Sequence, residues 1–396
     1  MIRRGLGILM VFAILTWWGV RCVKRGNDFL NHYEAAQRAV QTQDLYVPGA
    51  LSGLTYVYPP LYACLLAPMT VMNAKVAAAV WYVFKLALTA LTFWLLWQWV
   101  GSTAPFSWKF AGLLFLATGR FIIDDFQLGQ LTLVVMELAI IGLYAKAHWQ
   151  EGWGAILLGM SIALKLLPGI FIVYFLLRKE FRFAVWTGLA AMAWSVMPVF
   201  WYGGQLPWLS ERFWHQQVAG AATLSALSGA DNQSLQGMLM RWLGRFPTEM
   251  MVLPYANIAD LPFQTIKILV YVGDAVALGW WGWMVRRDRD GLVSLAGTFV
   301  TMLIISPNSG KSYFVALLLP YALMVHELLF GERTKEWRFT RIFFIASLIL
   351  CTFSADGWIG RSASDIASSY SVMFWGLVVV ATALHFKLRS AEQWNR

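Results

Sequence analysis

Charge is scarce in this chain. Only 13% of its 396 residues are Asp, Glu, Lys or Arg, where soluble domains average about 25%. A disordered chain and a coiled coil both need more charge than this, so both are excluded. Cysteine is scarce as well. Cys22, Cys64 and Cys351 are the only three, without a CxxC spacing, which leaves out disulfide scaffolds, structural zinc sites and redox dithiols. The motifs of soluble catalysis are missing: no HExxH, GxSxG, GxGxxG or Cys/His ligand cluster occurs. Gly310-Lys311-Ser312 matches the end of a phosphate-binding loop, but Ile305 stands where that loop needs its first glycine.

What the chain has instead is apolar mass. Hydrophobic residues make up 59% of it and aromatics 16%, and the mean hydropathy is +0.58. That composition predicts an all-α, polytopic integral membrane protein. Its 22 Trp and 14 Tyr suit the interfaces, where a ring is half apolar and half wet. The net charge of +10 would suggest nucleic acid in a soluble protein. Here much of it lies in short loops between apolar runs, so topology explains it and no nucleic-acid partner is implied. The chain opens with Arg3 and Arg4 and an apolar run through Val20, followed by Arg21, Lys24 and Arg25. No small-residue cleavage site intervenes, which predicts an uncleaved first membrane helix with a cytosolic N-terminus.

Twelve apolar segments are predicted: 5–21, 74–99, 106–122, 129–146, 153–164, 166–177, 183–200, 263–285, 291–305, 313–330, 341–357 and 371–387. The fifth and sixth are too short to span alone and read as a helical hairpin broken near Pro168. An even count puts both termini on one side. Arg178, Lys179 and Arg182, then Arg286, Arg287 and Arg289, then Arg333, Lys335, Arg338 and Arg341 crowd the short loops of that side. The positive-inside rule makes it the cytosol. Two long outer regions remain, roughly 22–73 and 201–262. In the first, Phe29, Tyr33, Ala36 and Val40 form one stripe, which predicts an interfacial helix over Asp28–Val40. The whole of 1–396 reads as a single integral domain with its polar mass outside.

Polar residues at the mouth of a membrane bundle are functional candidates, because placing them there is costly. Asp28 with His32 is one such group; the alternative for Asp28 is a helix N-cap. Arg120 and Asp124 are four apart and share a helix face, either as a phosphate or sugar site or as a structural ion pair. Asp125, next to Asp124, points elsewhere. Gln130 and Asp231 with Asn232 are polar sites of the same kind, the latter pair equally suited to a turn. Lys165, before Leu166-Leu167-Pro168, is a cation for a lipid-linked phosphate or a snorkelling lysine. Lys311 with Ser309 lies in Ile305-Ser306-Pro307-Asn308-Ser309-Gly310-Lys311, a cation site or a plain loop turn.

The chain carries, in order, Asp28-Phe29, Tyr33-Glu34-Ala35-Ala36, Leu45-Tyr46, Tyr56-Val57-Tyr58-Pro59-Pro60, Gly129-Gln130, Lys165-Leu166-Leu167-Pro168, Asn232-Gln233-Ser234-Leu235 and Ser306-Pro307-Asn308-Ser309. With this ordered set it resembles glycosyltransferase family 87, a bacterial branch of the membrane GT-C superfamily. Two positions depart from the family. Thr132 stands where it often has Asn. Gly310-Lys311-Ser312-Tyr313 stands where its mannosyltransferases carry His near the donor phosphate.

The resemblance implies a GT-C fold, with interfacial helices in the outer loops. It further implies a polyprenyl-phosphate sugar donor, mannose-like, and an inverting, metal-independent transfer with no cofactor. The family's catalytic Asp falls on Asp28, as general base. Lys165, Lys311 and Arg120 are the candidates to bind the donor phosphate. His32, Tyr33, Asp124, Gln130, Asn232 and Ser309 are those to bind sugar or acceptor. The acceptor is expected to be a glycolipid or glycan at the extracytoplasmic face of a bacterial cytoplasmic membrane. A transporter or flippase of a lipid-linked sugar is the alternative, for which inverted repeats and midplane charges would be expected; neither is visible. A non-catalytic membrane scaffold is a further alternative.

Overall fold

A computed structural model describes residues 16–101, 105–219, 227–245 and 256–394, without the side chains of 217–219 and 390–394. The predicted first membrane helix, 5–21, lies mostly outside the described residues. Helices dominate; among the described residues the only β contacts are isolated bridges, Pro48 with Thr55 and Gly244 with Leu261.

After a helical stretch over 16–25, called α1, the chain forms α2 (Asn27–Val40) and the short α3 (Pro60–Leu66). Then come α4 (Ala74–Trp99), α5 (Trp108–Leu128), α6 (Thr132–His148), α7 (Glu151–Leu164), α8 (Ile170–Leu177) and α9 (Phe181–Val196). Beyond them lie α10 (Leu206–Phe213), α11 (Leu235–Leu243), α12 (Phe263–Arg287), α13 (Leu292–Ile305), α14 (Leu318–Phe330), α15 (Lys335–Ser347), α16 (Arg361–Ser369) and α17 (Val372–Trp394). Among the described residues five stretches are long and apolar enough to cross a membrane: Ala74–Trp99, Phe181–Gln216, Phe263–Arg287, Lys311–Phe330 and Val372–Arg389. This is a polytopic membrane protein.

Local chemistry sets the boundaries. Asn73 caps α4 by accepting from the Val76 amide, and Ser107 caps α5 by accepting from Phe110. Helix α6 is buried along its whole length from Thr132 to Ala145 and forms the centre of the bundle. It meets α7 at bare backbone: a Cβ on Gly142 would lie 2.8 Å from the Leu158 nitrogen, the close approach that small residues permit between membrane helices.

The two ends of the bundle differ. At one end Lys146 pairs with Glu180, Arg178 donates to the Asp288 and Arg289 carbonyls, and Lys387 pairs with Glu327. Arg182 lies 4.0 Å from Glu151, so α7 and α9 both start there. The tip between α7 and α8 lies at the other end, where Lys165 meets Thr132 at the head of α6. The chain therefore reverses around Pro168. The loops 26–73, 129–131, 165–169 and 306–317 gather at that second end with the candidate residues.

Helix α2 is not the surface helix its stripe predicts. Phe29, Tyr33 and Ala36 are buried, but so are His32, Glu34, Ala35 and Ala39 on other faces, while Val40 is exposed. The segment that follows covers it. Glu34 accepts from the Leu51 and Ser52 amides and the Ser52 hydroxyl, and Arg38 donates to the Val47 and Pro48 carbonyls.

Candidate active site at one end of the bundle

Asp28 stands in the first turn of α2, one residue inside it, with Gly26 at the cap position. It is therefore not an N-cap. Its Oδ2 accepts from Gln130 Nε2 at 2.9 Å, and Gln130 Oε1 accepts from Ser312 Oγ at 2.5 Å. Three loops distant in sequence thus converge on one partly buried carboxylate. Burial raises the Asp28 pKa above the usual 3.8, and the Gln130 hydrogen bond lowers it; burial wins. Among the described residues Oδ1 accepts no hydrogen bond, so that oxygen is available to a ligand.

Lys165 sits in an extended break between α7 and α8. Its Nζ donates to Thr132 Oγ1 at 2.8 Å and lies 3.5 Å from the centre of the Tyr313 ring and 5.7 Å from that of Tyr58. No carboxylate lies within 4 Å of it among the described residues. A half-buried ammonium held by a hydroxyl and two aromatic faces keeps its charge free for an anion. Tyr313 follows Ser312, so the aromatic floor of Lys165 and the last link of the Asp28 chain are neighbours.

The other two cations are engaged differently. Lys311 pairs with Asp231 at 3.2 Å, and Asp231 is exposed. Arg120 does not pair with Asp124. Its guanidinium donates to the Cys351 carbonyl at 2.6 Å and Ser354 Oγ at 2.8 Å. Arg120, Asp124, Gln127, Lys311 and Arg361 line an open polar cavity of about 600 Å³ that also reaches Arg25, three residues before Asp28. Asp124 is thus on the cavity wall, whereas Asp125 is fully buried.

Four expected ligand-binding residues turn out to hold structure. His32 is buried among Tyr56, Tyr58 and Tyr62, and its Nδ1 lies 3.3 Å from the Tyr62 hydroxyl. Burial, reinforced by Lys85 and Lys165, pushes its pKa down to about 3, so it is neutral. Tyr33 donates to the Met72 carbonyl at 2.7 Å and is buried. Asn232 donates to the Leu227 and Pro307 carbonyls and accepts from the Ser234 and Ser309 amides. Ser309 donates to the Leu303 carbonyl and is fully buried. Asn232 has used every donor and acceptor it owns, so Asn232 and Ser309 staple two loops together and leave no group for a sugar.

Other residues at the site were not among the expected ligand-binding residues. Ser312 completes the Asp28 chain, and Thr132 holds Lys165. Lys85 is a fully buried cation in the middle of α4, ion-paired with Asp125. Its signal was its solitude: it is the one charge between Val76 and Trp99. Cys22, Cys64 and Cys351 are free and buried. Among the described residues no group of three or more His, Cys, Asp or Glu is placed to hold a metal ion.

The chain is similar to two curated proteins, both described as polyprenol-phosphate-mannose-dependent alpha-(1-2)-phosphatidylinositol mannoside mannosyltransferases. The one from Mycobacterium tuberculosis is 26% identical over 359 residues, covering 83% of this chain and 76% of that protein. The one from Mycolicibacterium smegmatis is 28% identical over 264 residues, 60% of this chain and 58% of that protein. No solved structure matches the chain. The family model for glycosyltransferase family 87 matches residues 56–307, the stretch that carries Gln130, Lys165 and the Asn232 staple, and the chain is a membrane enzyme belonging to that family.

Proposed function

We propose that this enzyme moves a sugar, mannose-like, from a polyprenyl-phosphate donor to a glycolipid or glycan acceptor, with Asp28 as general base. The observation that carries the reading is a chain of neighbours at one end of the bundle: the partly buried Asp28 carboxylate leads through Gln130 to Ser312, and on the next residue, Tyr313, rests the Lys165 ammonium, with no carboxylate within 4 Å among the described residues. The names of the two similar proteins support the donor class.

The step is a single displacement. Asp28 Oδ1 takes the proton of an acceptor hydroxyl as that oxygen attacks the anomeric carbon. A carbon–oxygen bond forms on one face, and the bond to the phosphate oxygen breaks on the other, so the anomeric centre inverts. The leaving phosphate keeps the electron pair. Lys165 stabilises that growing charge, and its fixed position means no reorganisation is needed at the moment of reaction. Gln130 holds the carboxylate toward the acceptor. Lys311, Arg120 and Asp124 line the polar cavity and are assigned to the polar parts of the substrates.

The donor's lipid stays in the bilayer while its sugar reaches the site. The fold is read as GT-C and a single domain over 1–396, with twelve membrane segments. The end bearing Lys146, Arg178 and Lys387 is assigned to the cytosol, both termini with it, by the positive-inside rule. The site then faces outward from a bacterial cytoplasmic membrane.

The test uses wild type and Asp28→Asn purified in detergent. Each is incubated with a panel of polyprenyl-phosphate sugars and extracted membrane lipids, and products are read by mass spectrometry. A sugar-sized increment with wild type that is lost in folded Asp28→Asn is the expected result. An increment that survives the substitution moves the base elsewhere.

A further inference from the structure

We propose that Lys85 and Asp125 are positioning residues that hold the Gly129–Gln130 turn, and through it Gln130, against Asp28. The inference rests on the reading of Asp28 as base.

Lys85 is 1% exposed and Asp125 is fully buried. The Lys85 ammonium makes three contacts: an ion pair to Asp125 Oδ1, and hydrogen bonds to the Asp125 carbonyl at 3.0 Å and the Gln130 carbonyl at 3.1 Å. All three of its protons are used. The Phe126 ring lies 4.6 Å away on another side. Asp125 does as much on its own part. Its Oδ2 accepts from the Leu133 amide at 2.9 Å, the first turn of α6, and its carbonyl accepts from the Gly129 and Gln130 amides at 3.0 Å.

The pair thus ties together α4, the end of α5, the turn and the start of α6. Gln130 is gripped at both backbone groups, its amide by the main-chain carbonyl of Asp125, which closes the turn whatever the side chain, and its carbonyl by the Lys85 ammonium. What is left free is the side chain, and that side chain reaches Asp28 and Ser312. Apolar residues of the same volume fill space in a membrane bundle as well or better than a buried ion pair. They cannot hold the Gln130 carbonyl, as the Lys85 ammonium does, or the Leu133 amide at the start of α6, as Asp125 Oδ2 does. Neither residue touches the substrates in the proposed reaction; both act through Gln130.

Lys85→Met combined with Asp125→Asn removes both charges together, so no unpaired charge is left buried, and Asn keeps an acceptor for Leu133. Around Asp28 the titratable and charged groups are His32, Tyr58, Tyr62, Lys165 and the Lys85–Asp125 pair, with Arg25 one turn before. Among the described residues Gln130 is its one hydrogen-bond partner. The double variant is therefore compared with Gln130→Leu. Expected is a kcat at least ~10-fold below wild type with donor KM nearly unchanged, and an acid limb of the pH profile displaced upward as in Gln130→Leu. Wild-type kcat and limb in the folded double variant would overturn the proposal, as would a loss that only follows the folded fraction. If the double variant does not fold, Lys85→Gln combined with Asp125→Asn, which also leaves no unpaired charge buried, is judged by the same criteria, with a smaller displacement expected.

Titration of the Asp28 carboxyl by infrared difference spectroscopy, assigned by subtraction of Asp28→Asn, separates this inference from the base assignment. It needs no turnover. Turnover by Asp28→Asn would remove the base assignment, whereas a wild-type Asp28 titration in the folded double variant would remove the clamp.

Discussion

Gly129 and Phe29 are in direct contact: a Cβ on Gly129 would lie 2.6 Å from the Phe29 Cβ and 3.2 Å from its backbone nitrogen. Phe29 follows Asp28, so the turn that ends α5 is the seat on which the carboxylate-bearing turn of α2 rests. Gly129 also adopts φ +74, a conformation in which a side chain is strained.

Gly129→Ala is therefore expected to act on both counts. The backbone strain costs about 1–2 kcal/mol, and the overlap is with backbone and Cβ atoms that no rotamer change relieves. The start of α2 must move away. Thermal unfolding should show the loss of stability, and turnover should fall further than the folded fraction does, because Asp28 moves with Phe29. Full activity in the folded part of the sample would sever the link between this turn and the site.

The pH profile follows from Asp28. Its pKa is raised above 3.8 by burial, and only the ionised form accepts a proton. As pH falls through the raised pKa the base is lost, so kcat/KM declines on an acid limb at higher pH than an unperturbed aspartate would give. The Gln130 hydrogen bond lowers the pKa. Gln130→Leu removes that bond and should shift the limb to higher pH. A limb at the same pH in wild type and Gln130→Leu contradicts the assignment of the limb to Asp28.

Asn232 separates structure from catalysis. Its amide joins the Leu227, Ser234, Pro307 and Ser309 backbones. Asn232→Ala leaves buried carbonyls and amides unpaired, each costing about 1–3 kcal/mol. The expected result is a lower unfolding temperature with the donor KM of the remaining folded enzyme unchanged. A raised KM without a change in stability would return Asn232 to the ligand-binding set.

The helices were legible where an apolar run and a cap coincide. The predicted segment 74–99 and α4 share both ends because Asn73 caps the run and Gly101, at φ +98, follows its close. The segment 341–357 starts late: α15 begins at Lys335, since Thr334 caps it by accepting from the Trp337 amide, and the charges that follow mask the helical start. The site was legible as separate residues. Asp28 and Gln130 are 102 positions apart, and nothing in the chain states that they touch. Nor does the sequence distinguish an Asn that binds a sugar from one that bonds only backbone, as Asn232 does. Lys85 was overlooked because a lone charge in an apolar run has no motif, although its burial required a partner and Asp125 was available to be one.

The three candidate cations are predicted to differ in importance, and the difference is electrostatic. Lys311 is already compensated by Asp231, while the Arg120 guanidinium has Asp124 and Asp356 nearby and is fixed on the Cys351 carbonyl and Ser354 at the cavity wall. Lys165 alone combines a free charge with a site between Thr132 and Tyr313, whose neighbour Ser312 leads through Gln130 to Asp28. Removing a preorganised charge that meets the leaving group costs ~10²–10³-fold in rate. Lys165→Met should therefore lose that much kcat, while Lys311→Gln loses less and Arg120→Gln acts mainly through KM. Lys165→Arg keeps the charge but spreads it over a longer, planar group, so the point charge beside Thr132 and Tyr313 is displaced; partial activity is expected. The check is steady-state kinetics on the four folded variants with one donor. Equal losses in Lys165→Met and Lys311→Gln would mean that the phosphate sits across the cavity rather than at Lys165.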